Sequence, residues 1–277
     1  MGDAPLFLGS EIYRGSGYGP WHPLRVPRVS TVMDLGRALG WLGPGQYRTS
    51  PRAKPKALAL FHDPGYFAAL QAAEAAQAVS DGTRARHGLG TASNPVFAEM
   101  FRRPATGAGG SLLAGELLAG GGVVYHPAGG THHGLRDRAS GFCYLNDPVL
   151  AILSLRRAGA RRIAYVDIDA HHGDGVELAF SGDPDSLLIS VHEERRWPFT
   201  GGLEDDAGGH AFNLPVPRGF NDAEMRLVLE RLILPRVSDF APDAIVLQCG
   251  ADAVEEDPLS RLALSNNAHW AVVAALR

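Results

Sequence analysis

The sequence predicts an α/β fold in which parallel strands are joined by helical crossovers, and three observations lead to it. Short β-like apolar runs alternate with helical patterns over most of the 277 residues, the order expected of a layered parallel sheet. The runs are rich in β-branched and apolar residues, which suits strands buried on both faces. Hydrophobic residues make up 45% of the chain and charged residues 20%, enough for one sizeable core, and no linker interrupts the pattern. The expectation is a single domain over residues 1–277.

The clearest strands are VVYH at 123–126, RIAYVDID at 162–169, SLLISVH at 186–192 and DAIVLQCG at 243–250. Helical patterns occupy 64–79, 108–119, 146–158, 221–239 and 259–276. The fourth begins with Asn221 or Asp222 as N-cap, has an acidic first turn, and continues through apolar Met225, Leu227, Val228, Leu229 and Leu232. Segments 41–56, 81–95 and 200–209, rich in glycine, proline and polar residues, read as loops. The last helical pattern, NNAHWAVVAALR, reaches Arg277 without a glycine cap, so the domain reads as lacking its C-terminal part.

The formal net charge is −4, with acid concentrated in the short runs Glu193–Glu194, Glu204–Asp206 and Glu255–Asp257, which read first as solvated loop surface. Nothing resembles the basic footprint of a nucleic-acid binder. Two cysteines, Cys143 and Cys249, lie in apolar segments, which excludes a disulfide scaffold and points to a reducing compartment. The N-terminus lacks the basic start and apolar stretch of a leader, and no apolar run is long enough to cross a bilayer. A cytoplasmic protein without membrane or nucleic-acid partners is expected.

The chemistry concentrates in IAYVDIDAHHGDGV at 163–176. Side chains alternate along a strand, so Asp167, Asp169 and, while the backbone stays extended, His171 project to one side. An aspartate at a strand end often caps the next helix, and a lone histidine is usually a satisfied buried side chain. Two aspartates and two histidines beside an apolar strand weaken both explanations, because burying such groups unpaired is costly. Two further stretches carry similar groups: VVYHPAGGTHHG places His132 and His133 in a glycine-containing loop after a strand, and AIVLQCGADA places Asp252 just beyond another. Ligand sites in parallel α/β sheets form at the carboxyl ends of strands, so these clusters are expected on one edge. A metal held by three protein ligands with an open position lowers the pKa of bound water to about 7 and polarises a carbonyl.

Taken together, GGTHHGLRDRASGFCYLND at 129–147, VDIDAHHGDGVELAF at 166–180 and LQCGAD at 247–252 resemble the zinc-dependent histone deacetylase superfamily, and within it the bacterial branch that includes acetoin utilisation proteins. The resemblance begins near HPLR at 22–25, passes through GLGTASNPVF at 88–97 and continues to the end. It implies an arginase-like α/β architecture with a central parallel sheet flanked by helices. The ligands it implies are Asp169, His171 and Asp252, holding zinc, with iron(II) as the alternative ion. Asp167 would pair with His132 and Asp174 with His133. In the family's mechanism metal-activated water attacks an acetamide carbonyl, the residue here at His133 serves as general base and then acid, and His132 tunes the electrostatics. His172 would hydrogen-bond within the turn. Asp167, with backbone carbonyls near Asp169, His171, Ser190 and Val191, would hold a structural potassium ion. Gly141, Phe142 and Trp197 would wall a channel for an extended alkyl chain, where core packing is the commoner fate of such aromatics.

The chain departs from the family pattern twice. The family presents a tyrosine after its last ligand-bearing strand to stabilise the oxyanion, whereas no tyrosine follows Tyr165 here. Loss of such a donor costs about 10²- to 10³-fold in rate. An acidic residue near Ala92 or Ser93, which binds the substrate backbone in related proteins, is also missing. The expected function is removal of acetyl or related acyl groups from an amine, either acetyl-lysine in proteins or an acetylpolyamine; an acidic rim from Glu193, Glu194, Asp205 or Asp206 would favour a cationic substrate. The alternatives are a two-metal arginase-like ureohydrolase and a non-catalytic metal-binding homologue.

Overall fold

The computed structural model describes residues 4–277, and the chain divides into two compact units, 1–159 and 160–277.

The first unit runs β1 (Leu6–Gly9), α1 (Ile12–Gly15), α2 (Arg28–Ala38), β2 (Tyr47–Thr49), α3 (Pro55–Leu58), α4 (Pro64–Ala76), α5 (Asp81–His87), α6 (Arg102–Leu117), β3 (Val124–Tyr125) and α7 (Asp147–Arg157). Its parallel sheet has the order β2-β1-β3, with Phe7 opposite both Tyr47 and Tyr125. Tyr66, Leu70, Met100, Tyr144 and Leu150 form the centre of the helical core. Helix α4 starts where Pro64 follows Asp63, whose carboxylate accepts from the Gly65 N–H at 2.7 Å. The segment before α3 lies flat on α6: the Ala53 N–H donates to the Ala105 carbonyl at 2.8 Å, and a Cβ at Gly109 would overlap the Pro51 carbonyl.

The second unit runs β4 (Ile163–Asp167), α8 (Asp174–Phe180), β5 (Ser186–Glu193), β6 (Ala211–Val216), α9 (Asp222–Val228), a π-helical turn (Leu229–Ile233), α10 (Leu234–Phe240), β7 (Ala244–Gln248) and α11 (Asn266–Leu276). Its four strands are parallel in the order β6-β5-β4-β7. Every residue of β4 and β5 is buried, as their continuous apolar runs require of central strands. Val166, Ile168, Ile189, Val191, Ile233 and Leu264 belong to the core. Asp167 stands beside both Ser190 of β5 and Gln248 of β7, so this register sets which residues leave the sheet together.

Several expectations hold with trimmed ends, and others change for identifiable reasons. The expected loop 41–56 contains β2 and α3, and the expected loop 81–95 begins with α5, whose N-cap Ser80 accepts from the Thr83 N–H at 3.1 Å. Strand β6 contains Pro215, which cannot donate to a ladder, and it lies on the sheet edge where none is needed. The helix expected over 221–239 is divided by the π-helical turn. Pro235 lacks an N–H and crowds the carbonyl four residues earlier, so the ladder widens ahead of it. The helix expected from 259 starts only at Asn266: Leu262 and Leu264 are buried with the period of an extended chain, bridging to α9 and Val254 flanks, and Ser265 supplies the cap.

Gly109→Ala should destabilise the protein by about 1–3 kcal/mol through overpacking, although alanine ordinarily favours a helix over glycine by about 1 kcal/mol. Chemical denaturation monitored by circular dichroism would give the sign.

Candidate metal centre

The ends of β4 and β7 build the centre in the second unit. Tyr165 and Asp167 face the same side of β4, and the Tyr165 hydroxyl donates to the Asp167 carboxylate at 2.6 Å. The other oxygen of Asp167 accepts from the Asp169 N–H at 3.0 Å, so this fully buried carboxylate fixes the backbone from which Asp169 projects. The Ile168 N–H still donates to Gln248 on β7 at 2.9 Å; beyond it the chain leaves the sheet, and the Asp169 carboxylate accepts from the His171 N–H at 2.8 Å. A 3₁₀ turn after β7, Ala251–Ala253, delivers Asp252, whose carboxylate accepts from the Ala170 N–H at 3.0 Å.

These backbone contacts bring three donor side chains together. His171 Nδ1 lies 2.8 Å from the Asp252 carboxylate and 3.2 Å from that of Asp169, and one ligand atom from each of the three residues falls within 4.8 Å of the others. Burial works against a charge on His171, yet the two carboxylates more than offset it and push its pKa up to about 10. The pocket therefore favours positive charge. Two carboxylates and an imidazole at this spacing fit a divalent cation, and an O, N, O donor set suits zinc or iron(II) equally.

Gln248 and Gly250, to which the motif reading gave no role, complete the arrangement together with neighbours it did name. Gln248 donates to the Asp169 carboxylate at 3.2 Å, and a Cβ at Gly250 would overlap that same carboxylate. Trp197 places its ring 6.4 Å from that of His171. His172 is buried, with Nε2 donating to Glu177 at 3.1 Å and Nδ1 paired with the Thr200 hydroxyl at 2.9 Å, a structural role within the turn. Asp174 opens α8 and donates its N–H to the His172 carbonyl at 2.9 Å.

In the first unit His132 and His133 are both buried, with ring centroids 4.0 Å apart. The two residues that start α7 clamp their loop. Asn146 donates to the carbonyls of His132 at 3.0 Å and Gly134 at 2.9 Å, while its own carbonyl oxygen caps α7 through the Val149 N–H. Asp147 accepts from the N–H of Thr131 at 2.7 Å and from its hydroxyl at 2.6 Å. Behind the clamp the Asn146 N–H donates to His62 Nε2 at 3.0 Å, and burial pushes the pKa of His62 down to about 4, which keeps that nitrogen an acceptor. Gly141 and Phe142 both adopt positive φ in the tight connection between Ser140 and Cys143, and the Phe142 ring meets His22 edge-on at 4.6 Å. Helix-capping chemistry is legible in Asn146-Asp147-Pro148; the carbonyls that Asn146 also serves are not.

Parallel strands flanked by helices, with an Asp, His, Asp cluster at their ends that could hold a metal ion, define an arginase-like α/β protein. Comparison with known proteins takes this further. Residues 22–277 match the histone deacetylase domain, and the chain belongs to that family. It is 34% identical to the acetoin utilization protein AcuC of Bacillus subtilis, over 95% of this chain and 70% of that protein. It is also 34% identical to histone deacetylase 9 of Arabidopsis thaliana, over 91% of this chain but 61% of the relative. A crystal structure of a histone deacetylase homologue from Aquifex aeolicus superposes with a TM-score of 0.93 at 36% identity, covering 99% of this chain and 76% of that one. A second structure of such a homologue, complexed with SAHA, gives the same values.

Gly250→Ala should force the Asp169 carboxylate aside and weaken divalent-ion binding about 10- to 100-fold, as disturbance of a ligand's supporting contacts does elsewhere. Calorimetric titration of the metal-free protein with zinc would measure it.

Proposed function

We propose that this protein is a metal-dependent amidohydrolase that removes acetyl or related acyl groups from an amine. The observation that carries the reading is the convergence of Asp169, His171 and Asp252 on one cation-favouring pocket at the ends of adjacent parallel strands. Family membership supports it and sets aside the two-metal ureohydrolase. The proposed ion is zinc, and when bound it supplies an acidified water and a polarised carbonyl.

In this reading the chain's own residues do the following. Asp169, His171 and Asp252 hold the ion, and Asp167 and Gln248 keep Asp169 in place. His133 accepts a proton and returns it to the leaving amine, His132 tunes the electrostatics beside it, and Asp167 and Asp174 fix the histidine tautomers, the roles implied by the family motif. Gly141, Phe142 and Trp197 guide the acyl-bearing chain. Asp167 with the Ser190 and Val191 segment of β5 accommodates potassium as a structural ion. The substrates are acetylated amines, protein lysine or polyamine, and the reading places the protein in the cytoplasm; no helix among the described residues is long and apolar enough to cross a membrane.

The comparisons do not favour the non-catalytic metal-binding homologue, which the same experiments would reveal. Tyr165 is the last tyrosine in the sequence, and its hydroxyl is engaged with Asp167.

Under the first reading, Asp169→Ala should lose both the bound ion, by elemental analysis, and hydrolysis of an acetyl-lysine peptide or acetylspermidine. His133→Ala should keep the ion and lose about 10²- to 10⁴-fold in kcat/KM. Ion retention without hydrolysis of either substrate by the unmodified protein would decide for the second.

A further inference from the structure

The stretch VVYHPAGGTHHG carries a third histidine, His126, to which neither the motif nor the metal centre gives a role. It follows β3 in the first unit and lies against α6, where glycine makes room for its ring. A Cβ at Gly110 would overlap the His126 imidazole, and one at Gly129 would meet the Asp147 carboxylate at 2.8 Å and His126 Nδ1 at 3.3 Å. Backbone thus closes on the ring from the helix and from the loop that leads to His132 and His133.

The hydrogen bonds around it run in one direction. The buried Ser111 hydroxyl donates to one oxygen of the buried Asp147 carboxylate at 2.6 Å, which leaves the Ser111 oxygen to accept from His126 Nδ1 at 3.1 Å. With the proton on Nδ1, Nε2 of the neutral ring is an acceptor, and it faces the Ser50 hydroxyl at 3.4 Å. Burial pushes the pKa of His126 down against the pull of Asp147, which favours that neutral form. The other oxygen of Asp147 accepts from the N–H of Thr131, the residue before the histidine pair. A serine inside a helix otherwise tends to donate to the carbonyl four residues back, here that of Gly107. The imidazole N–H therefore decides where the Ser111 proton points.

We propose that His126 is a positioning residue for the His132–His133 pair, acting through Ser111 and Asp147 on the loop that carries them. Its Nδ1–H turns the Ser111 hydroxyl off the helix and onto Asp147, and Asp147 so held fixes Thr131 beside the pair. The inference rests on the hydrolase reading and deepens it, because it adds a residue that acts on the proton-handling pair from outside it.

Asparagine places an amide N–H near the position of Nδ1 and glutamine places one near that of Nε2, so the two replacements separate the two sides of the ring. The zinc-loaded full chain and its His126→Asn, His126→Gln and His126→Leu variants would be compared in hydrolysis of an acetyl-lysine peptide. The imidazole resonances of His132 and His133 would be followed in parallel by NMR. His126→Gln and His126→Leu should lower kcat about 10- to 100-fold with KM within about twofold, the scale of a displaced proton-transfer group, while His126→Asn stays within about threefold. The resonances of the pair should shift in the first two variants and hold their places in the asparagine variant. Glutamine as good as asparagine, asparagine as poor as leucine, a change in KM alone, or unmoved resonances in the glutamine variant would each overturn the assignment. Should the leucine variant not fold, the contrast between asparagine and glutamine carries the test. If the unmodified protein hydrolyses nothing, the hydrolase reading falls, and the resonances still decide whether His126 positions the pair.

Discussion

Two carboxylates closing on one imidazole set the terms for the second unit. Asp169 and Asp252 approach the same nitrogen of His171 in a largely buried pocket, where removing a charge from water costs several kcal/mol per ion unless it is compensated. The two carboxylates favour positive charge between them, and they hold the His171 imidazole well above its ordinary range against the burial that opposes its charge. That requirement propagates backward into the fold. It needs β4 and β7 adjacent and in one register, Asp167 buried to fix the exit from β4, and no side chain at 250.

How much of this was legible in the sequence varied with the range of the interaction. Strands β4 and β5 were readable because burial on both faces leaves an unbroken apolar run, and Asp169, His171 and Asp252 were readable because strand-end motifs put them in order. Gln248 and Gly250 were not. A glutamine at the end of a strand looks like any polar residue leaving a core, and the demand for glycine comes from a carboxylate about 80 residues away in sequence. Strand β6 was hidden by its proline, harmless only because that strand is at an edge. Helix α9 and its continuation looked like one helix because apolar periodicity does not register the hydrogen bond that Pro235 removes.

Local conformation and residue type disagree at a few positions spread over both units. Among the described residues six non-glycines adopt positive φ, and two are phenylalanines, Phe142 and Phe199, one in each unit. The other four are Gln77, Arg195, Ala207 and Ala241, and the remaining positive-φ positions among the described residues are glycines. At Phe142 the left-handed backbone turns the ring edge-on to His22, so the cost of that conformation comes with a defined contact.

The clamp on the histidine loop has a consequence for how this family member can change. Asn146 and Asp147 are neighbours in the chain, and they grip opposite flanks of His132 and His133 while Asn146 also starts α7. The helix and the loop thus share one fixed point, and neither can be re-spaced alone. Substitutions around the pair are open to compensation one at a time. A one-residue insertion or deletion at the helix start would exchange the two grips at once, so drift in length is closed to this segment even where drift in composition is not.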